Sequence, residues 1–197
     1  MALSELQKHN TILTIPGWHG SGPEHWQTVW EETYRGFRRV EQREWEHPAM
    51  ADWVVSIQEA AAGAASPVFL VAHSMGCHAV AHWAAQSGAA RIAGALLVAP
   101  PWFGAAAACP KELQSFLPMH IGALPFRSIL VASENDPYVS IEAAARLARR
   151  WGSEFVDAGR LGHINAASGH GRWPEGERLL ERLCQGAGVA TGAVRCR

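Results

Sequence analysis

Ser74 stands where a side chain can act as a nucleophile. It follows the apolar run 68–72 and precedes an alanine-rich run, so the local order is strand, sharp turn and helix. In such a turn the residues two before and two after the serine must be small, because strand and helix nearly touch; Ala72 and Gly76 meet this demand. Ala72 replaces the usual glycine, and we expect one methyl group to be tolerated. The alternative is a serine that caps an ordinary helix.

A serine hydroxyl is a weak nucleophile until a neighbouring base takes its proton. In chains with this turn the order is serine, acid, histidine, so the partners are expected downstream. Asp136 follows the apolar run 128–133 and so lies just past the carboxyl end of a predicted strand, where open α/β sheets place working residues. The alternative for Asp136 is a turn aspartate before proline. Glu134 and Asp157 are weaker competitors.

His163 is the predicted base, because it lies in the glycine-punctuated loop 159–165 after the last predicted strand. His170 is the alternative, and a surface position is the other interpretation of either histidine. Asp136 would orient the imidazole, and the three residues together predict acyl transfer through a covalent intermediate on Ser74. This chemistry needs no cofactor.

The oxyanion of such a reaction is usually stabilised by two backbone N–H groups. Met75, directly after Ser74, is predicted to supply one, and Trp18, in the glycine-rich turn 16–22 after the first strand, the other. Losing such a donor typically costs about 3 kcal/mol in the transition state. The alternative for the turn is a plain strand-to-helix connection.

Apolar residues that follow the predicted strand 95–99 predict a substrate pocket. Trp102, Phe103 and Leu117 are its expected lining, and the segment 99–125 is expected to roof part of the site. Packing is the alternative for these side chains, as we expect for Trp53.

Strand-length apolar runs alternate with helical patterns along the chain, which predicts parallel strands joined by crossover helices. The predicted strands are 11–15, 67–72, 95–99, 128–133 and 154–156, with 38–45 as a weaker candidate near an edge. The predicted helices are 24–34, 51–62, 75–86, 141–151 and 174–184, with Ser140 and Gly152 at the ends of the fourth and Gly186 after the last. We therefore expect a mostly parallel, doubly wound sheet in one domain over 1–184 and a Gly/Ala-rich tail over 185–197.

Composition limits the function classes. With 197 residues, a formal net charge of -1 and 48% hydrophobic residues, the chain is expected to be one globular domain without a nucleic-acid surface. The first ten residues lack a signal-peptide core, and glycine and proline interrupt the longest uncharged stretch. We therefore expect no membrane partner and a cytoplasmic location, with the four cysteines as thiols.

His78 and His82, four residues apart on a predicted helix, are the remaining candidate constellation. No third ligand accompanies them, so we expect packed or solvent-facing histidines rather than a metal site. Cys77 is expected to be a small buried residue rather than a reactive thiol.

Four segments carry a resemblance to a known family: 16–26, 72–77, 124–140 and 162–176. Through them the chain resembles the small serine hydrolases of the retinoblastoma-binding protein 9 and YdeN group, within the α/β-hydrolase superfamily. The resemblance implies a shortened α/β-hydrolase sheet without a large cap domain and a triad at Ser74, Asp136 and His163. It leaves the substrate and the oligomeric state open.

The human relative's name implies binding to a pocket protein through a Leu-x-Cys-x-Glu peptide. The nearest segment here, Leu183-Cys184-Gln185, does not fit, so that partner is not expected.

A small ester, thioester or activated amide is the expected substrate. Small esters are preferred, because a short chain without a cap has limited means to enclose a bulky substrate. The alternative is a non-catalytic binding or scaffold protein with the same fold.

Overall fold

The computed structural model describes residues 3–6, 10–64, 67–86, 89, 91–104 and 108–188. Its strands are β1 (Thr11–Ile15), β2 (Phe37–Arg39), β3 (Val68–His73), β4 (Ile92–Val98), β5 (Ser128–Ala132) and β6 (Glu154–Asp157). Its α-helices are α1 (Leu3–Leu6), α2 (Trp26–Thr33), α3 (Met50–Ala62), α4 (Met75–Gln86), α5 (Ile141–Trp151) and α6 (Pro174–Gly188).

All six strands form one parallel sheet in the order β2-β1-β3-β4-β5-β6. The chain winds outward from β1 to β2 and then, starting at β3, in the opposite direction, so the order reverses between β1 and β3. Open parallel sheets bind ligands at the carboxyl ends of the strands at such a switch point. The turns after β1 and β3, which hold Trp18 and Ser74, meet at this position.

Both faces of the sheet are covered, and β3 is buried along its whole length. Successive side chains of a strand point to opposite faces. Leu70 and Ala72 accordingly belong to the hydrophobic cluster on one face of the sheet, which includes residues of α3, α4 and α5. Phe69 and Val71 belong to the cluster on the other face, which includes residues of α2 and α6. Among the described residues, no helix combines the length and the hydrophobicity needed to cross a membrane.

Local signals at helix ends predict both bounds of α5, whereas β4 begins at Ile92 rather than at residue 95 and α2 spans Trp26–Thr33 rather than 24–34. The predicted bounds of α4 and α5 match the structure, Ser140 accepts a hydrogen bond from the N–H of Ala143, and Gly152 adopts a left-handed conformation with φ 69°. The weaker candidate strand, predicted at 38–45, is wrong for residues 40–45: the strand at this sheet edge is Phe37–Arg39.

The predicted exit at Gly186 is wrong, because α6 continues to Gly188. Burial of Leu180 and Leu183 docks this helix on the sheet, and a glycine in a helix costs only about 1 kcal/mol. The expected tail boundary at residue 185 therefore falls within α6, and residues 189–197 lie outside the described residues.

The segment between β4 and β5 contains the 3-10 helix Lys111–Phe116 rather than a separate folded domain, in the described residues 99–104 and 108–127. This short helix packs beside α3 and carries Leu113 and Phe116 inward. The segment therefore covers the edge of the switch point without forming a large cap.

Candidate active site

Ser74 sits on a strained turn between β3 and α4. Its φ of 53° lies in the left-handed region, which a residue with a side chain adopts only when its surroundings hold it there. Its N–H donates to the carbonyl oxygen of Val98 at 2.9 Å. A Cβ added at Gly76 would lie 2.3 Å from the carbonyl oxygen of Ile15 and 2.6 Å from that of Pro16. Only glycine fits there, because α4 begins directly against the end of β1.

Three side chains from different elements meet at this turn. Nε2 of His163 lies 3.0 Å from Oγ of Ser74, and Nδ1 of the same ring lies 2.9 and 3.1 Å from the carboxylate oxygens of Asp136. An ionised carboxylate only accepts hydrogen bonds, so Nδ1 carries the proton and Nε2 presents its lone pair to the serine hydroxyl. The backbone N–H of Tyr138 donates to Oδ1 of Asp136 at 2.9 Å and fixes the carboxylate.

The competing residues lie elsewhere. His170 donates from Nε2 to the carbonyl oxygen of Leu161 at 2.9 Å. Glu134 is exposed, and the carboxylate of Asp157 accepts the N–H of Gly159 at 2.8 Å in its own turn. The structure therefore brings Ser74, Asp136 and His163 together and leaves the three alternatives out.

Two buried histidines beside this group were not predicted from the sequence as site residues. His73 donates from Nε2 to the carbonyl oxygen of His163 at 2.9 Å, and burial holds its pKa well below the usual value. His25 caps α2 by accepting the N–H of Gln27 on Nδ1, and its pKa is lowered to about 3, mainly by burial, with smaller contributions from Arg39 and His163. Both rings are therefore neutral at pH 7. The position of His73, next to Ser74, is the signal that could have drawn attention to it.

The two predicted oxyanion donors flank the serine. Met75 is the first residue of α4, where backbone N–H groups have no partner within the helix. Trp18 follows Gly17, whose added Cβ would lie 2.7 Å from Cβ of Ser74, so the turn after β1 passes directly over the nucleophile. The indole N–H of Trp18 donates to the carbonyl oxygen of Glu46 at 2.9 Å, which holds this turn. Their role as oxyanion donors stays a prediction.

A cleft of about 230 Å³ opens at Ser74. Its walls include Phe103, one of the three residues predicted to line a substrate pocket, and also Pro110, Leu113 and Tyr138, which the sequence did not single out. The full lining is Trp18, His19, Gly20, His25, His73, Ser74, Pro101, Phe103, Pro110, Leu113, Tyr138, His163 and Asn165.

Trp102 and Leu117, the other two expected pocket residues, do not line this cleft. They line an adjoining groove of about 550 Å³ that shares Phe103 with it. Trp102 turns toward α5, where it also lines a hollow with Ala143 and Leu147. Of the three expected pocket residues, Phe103 therefore lines the cleft at Ser74, and Leu113 of the 3-10 helix lies beside it in the same wall.

The histidine pair on α4 serves packing. His78 is fully buried and donates from Nε2 to the carbonyl oxygen of Pro101 at 2.8 Å, and burial lowers its pKa to about 4. His82 donates from Nε2 to the carbonyl oxygen of Phe116 at 3.1 Å. Within the described ranges, no three histidine, cysteine or acidic side chains are grouped to hold a metal ion. Cys77 is fully buried, which raises the pKa of its thiol.

Comparisons with known proteins agree with this architecture. A family model described as serine hydrolase matches residues 12–182. A crystallised protein of Pectobacterium atrosepticum, described as a YdeN-like hydrolase, is 34% identical with a TM-score of 0.84, covering 94% of this chain and 96% of that one.

Two further structures share the fold at lower identity. The YdeN product of Bacillus subtilis is 18% identical with a TM-score of 0.69, covering 88% of this chain and 98% of that one. The carboxylesterase CesB of the same organism is 12% identical with a TM-score of 0.59, covering 89% and 84%. No curated protein sequence matches the chain. With the single parallel sheet and its flanking helices, these findings establish that the chain belongs to the serine hydrolase family and has the α/β-hydrolase fold.

Proposed function

We propose that the protein hydrolyses small carboxylic esters, or thioester and activated amide bonds, through an acyl-enzyme on Ser74. The observation that carries this proposal is the hydrogen-bonded chain from Ser74 Oγ to His163 Nε2 at 3.0 Å and from His163 Nδ1 to Asp136 at 2.9 Å. A nucleophile, a base and an orienting acid in this arrangement are the parts that acyl transfer needs.

In the proposed reaction, His163 takes the hydroxyl proton on Nε2 while Oγ of Ser74 bonds to the substrate carbonyl carbon. The bond to the alcohol then breaks, and the alcohol leaves with the proton from His163. Water attacks the acyl carbon and loses a proton to His163; the bond between the acyl carbon and Oγ then breaks, Oγ takes that proton back from His163, and the acid is released. Asp136 stabilises the imidazolium that forms in each half-reaction, and the N–H groups of Met75 and Trp18 would stabilise the oxyanion.

The size of the cleft supports a small substrate. A space of about 230 Å³ lies below the range of roughly 300–1,000 Å³ typical of drug-sized ligand pockets. The walls combine imidazole edges with Phe103 and Leu113, which suits a short acyl group. We propose a cytoplasmic location and no macromolecular partner for this activity, which cell fractionation with co-purification would test.

Labelling with a fluorophosphonate probe tests the proposal, because such probes phosphonylate an activated serine. Wild-type protein is expected to be labelled, Ser74→Ala to lose all labelling and His163→Ala most of it. His170→Ala is the matched control, since its ring bonds only to a carbonyl oxygen, and should label like wild type. A folded wild-type protein that takes no label would reject the proposal and favour the non-catalytic binding protein.

A further inference from the structure

Two consecutive carbonyl groups at His163 each accept a hydrogen bond from a buried side chain. The carbonyl oxygen of His163 accepts from Nε2 of His73 at 2.9 Å, and that of Ile164 accepts from Nε1 of Trp26 at 2.8 Å. These donors come from distant parts of the chain, one from the end of β3 and one from the first turn of α2. Together they hold the two peptide groups that flank Ile164, the residue after His163.

This part of the loop has a conformation that it would not keep by itself. Ile164 has a φ of 47°, in the left-handed region, where a β-branched residue is a genuine outlier. Strained residues of this kind persist only when the surrounding structure over-determines them. Ile164 is fully buried in one hydrophobic cluster with Trp26 and Trp173, so packing and hydrogen bonding act on the same residue.

The loop residues that precede His163 are held by a different pair of hydrogen bonds. The N–H of Gly162 donates to Oδ1 of Asn135, and the N–H of Leu161 donates to Oγ of Ser133, both at 2.8 Å. These bonds connect the two residues before His163 to the turn that carries Asp136. The carbonyl groups of His163 and of the residue after it accept instead from His73 and Trp26.

We propose that Trp26 and His73 are positioning residues for His163: their hydrogen bonds to two consecutive carbonyls hold the strained loop so that Nε2 of His163 meets Oγ of Ser74. The inference rests on the proposed hydrolase function for its effect on activity, but the loop geometry can be tested without it. Neither residue needs to contact substrate for this role, since each acts through the backbone.

Trp26→Phe and Trp30→Phe form a matched pair. Both tryptophans are buried in the same aromatic cluster, and each donates its indole N–H to a backbone carbonyl of the C-terminal region, Trp26 to Ile164 and Trp30 to Arg172 at 2.6 Å. Only the bond of Trp26 reaches the residue next to His163. Trp26→Phe is expected to lower kcat for p-nitrophenyl acetate by about 10- to 100-fold with KM little changed, because small misplacements of a catalytic group have effects of this size. Trp30→Phe should stay within about threefold of wild type. Equal kcat losses in the two variants would overturn the proposal.

His73 allows a test by conservative rescue. His73→Gln keeps an N–H donor near the position of Nε2, whereas His73→Leu fills the space without a donor. The glutamine variant is expected to keep at least about tenfold more kcat than the leucine variant; similar values for both would contradict a role through the hydrogen bond. Urea unfolding of each variant shows whether the protein is folded under the assay conditions, and so excludes a loss of kcat that merely reflects unfolded protein.

A spectroscopic signal separates failure of this inference from failure of the proposed function. The proton on Nδ1 of His163, hydrogen-bonded to Asp136, should give a downfield proton NMR resonance. It is expected to be lost or broadened in Trp26→Phe and retained in Trp30→Phe, whether or not the protein turns over esters. If wild-type protein neither takes the probe nor turns over esters, the proposed function fails; if the resonance is unchanged in Trp26→Phe, the positioning role fails.

Discussion

The carboxylate of Asp136 lies 2.9 Å from Nδ1 of His163, and its side chain has no exposed surface. Oδ1 of this carboxylate also accepts the N–H of Tyr138 at 2.9 Å, which fixes the orientation of the carboxylate. The contact therefore selects the imidazole tautomer in which Nε2 is free to accept the proton of Ser74.

Asp136→Asn is expected to lower kcat/KM for a small ester by roughly 10³- to 10⁴-fold. The amide can donate to Nδ1 and thereby favours the wrong tautomer, which has an effect of this order in a well-studied serine protease. Steady-state kinetics of the folded variant measure it. Asp157→Asn, which changes an exposed carboxylate in a neighbouring turn, is the control and should remain close to wild type.

Gly76→Ala is expected to destabilise the protein by about 1–3 kcal/mol or more, because its Cβ would overlap the carbonyl oxygens of Ile15 and Pro16. These are backbone atoms of a central strand and the turn after it, so they cannot rotate away. Urea unfolding gives the free energy of unfolding directly. Gly22→Ala is the control, since an added Cβ there meets nothing within 4 Å, and a large loss in that variant would argue against the steric explanation.

The free energy of unfolding is expected to fall as the pH drops below about 6.5. Burial lowers the pKa of His25 to about 3 and that of His78 to about 4, and holds the pKa of His73 well below its usual value. An unfolded chain titrates its imidazoles near pH 6.5, so below that pH it binds protons that the folded protein does not. Stability is thus fully present above about pH 6.5 and is lost toward pH 4, by up to about 1.4 kcal/mol per pH unit for each histidine.

Urea unfolding at pH 7.5, 6 and 5 measures this dependence. The slope of the free energy of unfolding against pH measures how many more protons the unfolded chain binds. His78→Gln should reduce this number by about one, because His78 is fully buried and lies outside the group around Ser74. His47→Gln, at an exposed position, is the matched control and should leave the slope as in wild type. A pH-independent free energy of unfolding in wild-type protein would show that these rings accept protons in the folded state.

Phe103→Ala is expected to raise KM for a short-chain ester several-fold, because Phe103 lines the cleft at Ser74. Leu117→Ala, in the adjoining groove, should leave KM unchanged for the same substrate. Initial-rate measurements with p-nitrophenyl acetate compare the two. A larger effect at Leu117 would mean that the acyl group lies in the groove instead.

The sequence by itself determined the fold class and most element boundaries, since these depend on short-range signals. Alternating apolar runs and helical patterns predict the parallel sheet, and Ser140 and Gly152 mark the ends of α5 through hydrogen bonds within a few residues. The strand, turn and helix around Ser74 are likewise local. The prediction for Gly186 failed because docking of α6 against the sheet outweighs the weak helix propensity of one glycine.

The tertiary structure decided which histidine meets Ser74 and what holds it there. The sequence favours His163 because its loop directly follows the last strand, but His170 also lies in a glycine-rich segment, and only the folded chain shows which ring lies within hydrogen-bond distance of Ser74. The conformation of Ile164 depends on Trp26, 138 residues away in sequence, and the carbonyl of His163 depends on His73, 90 residues away. Phe103 faces the cleft while Trp102 faces α5, a difference between neighbours that only packing against distant elements determines. Contacts over such separations arise from the winding of the sheet, which brings the ends of β1, β3 and β5 to one edge.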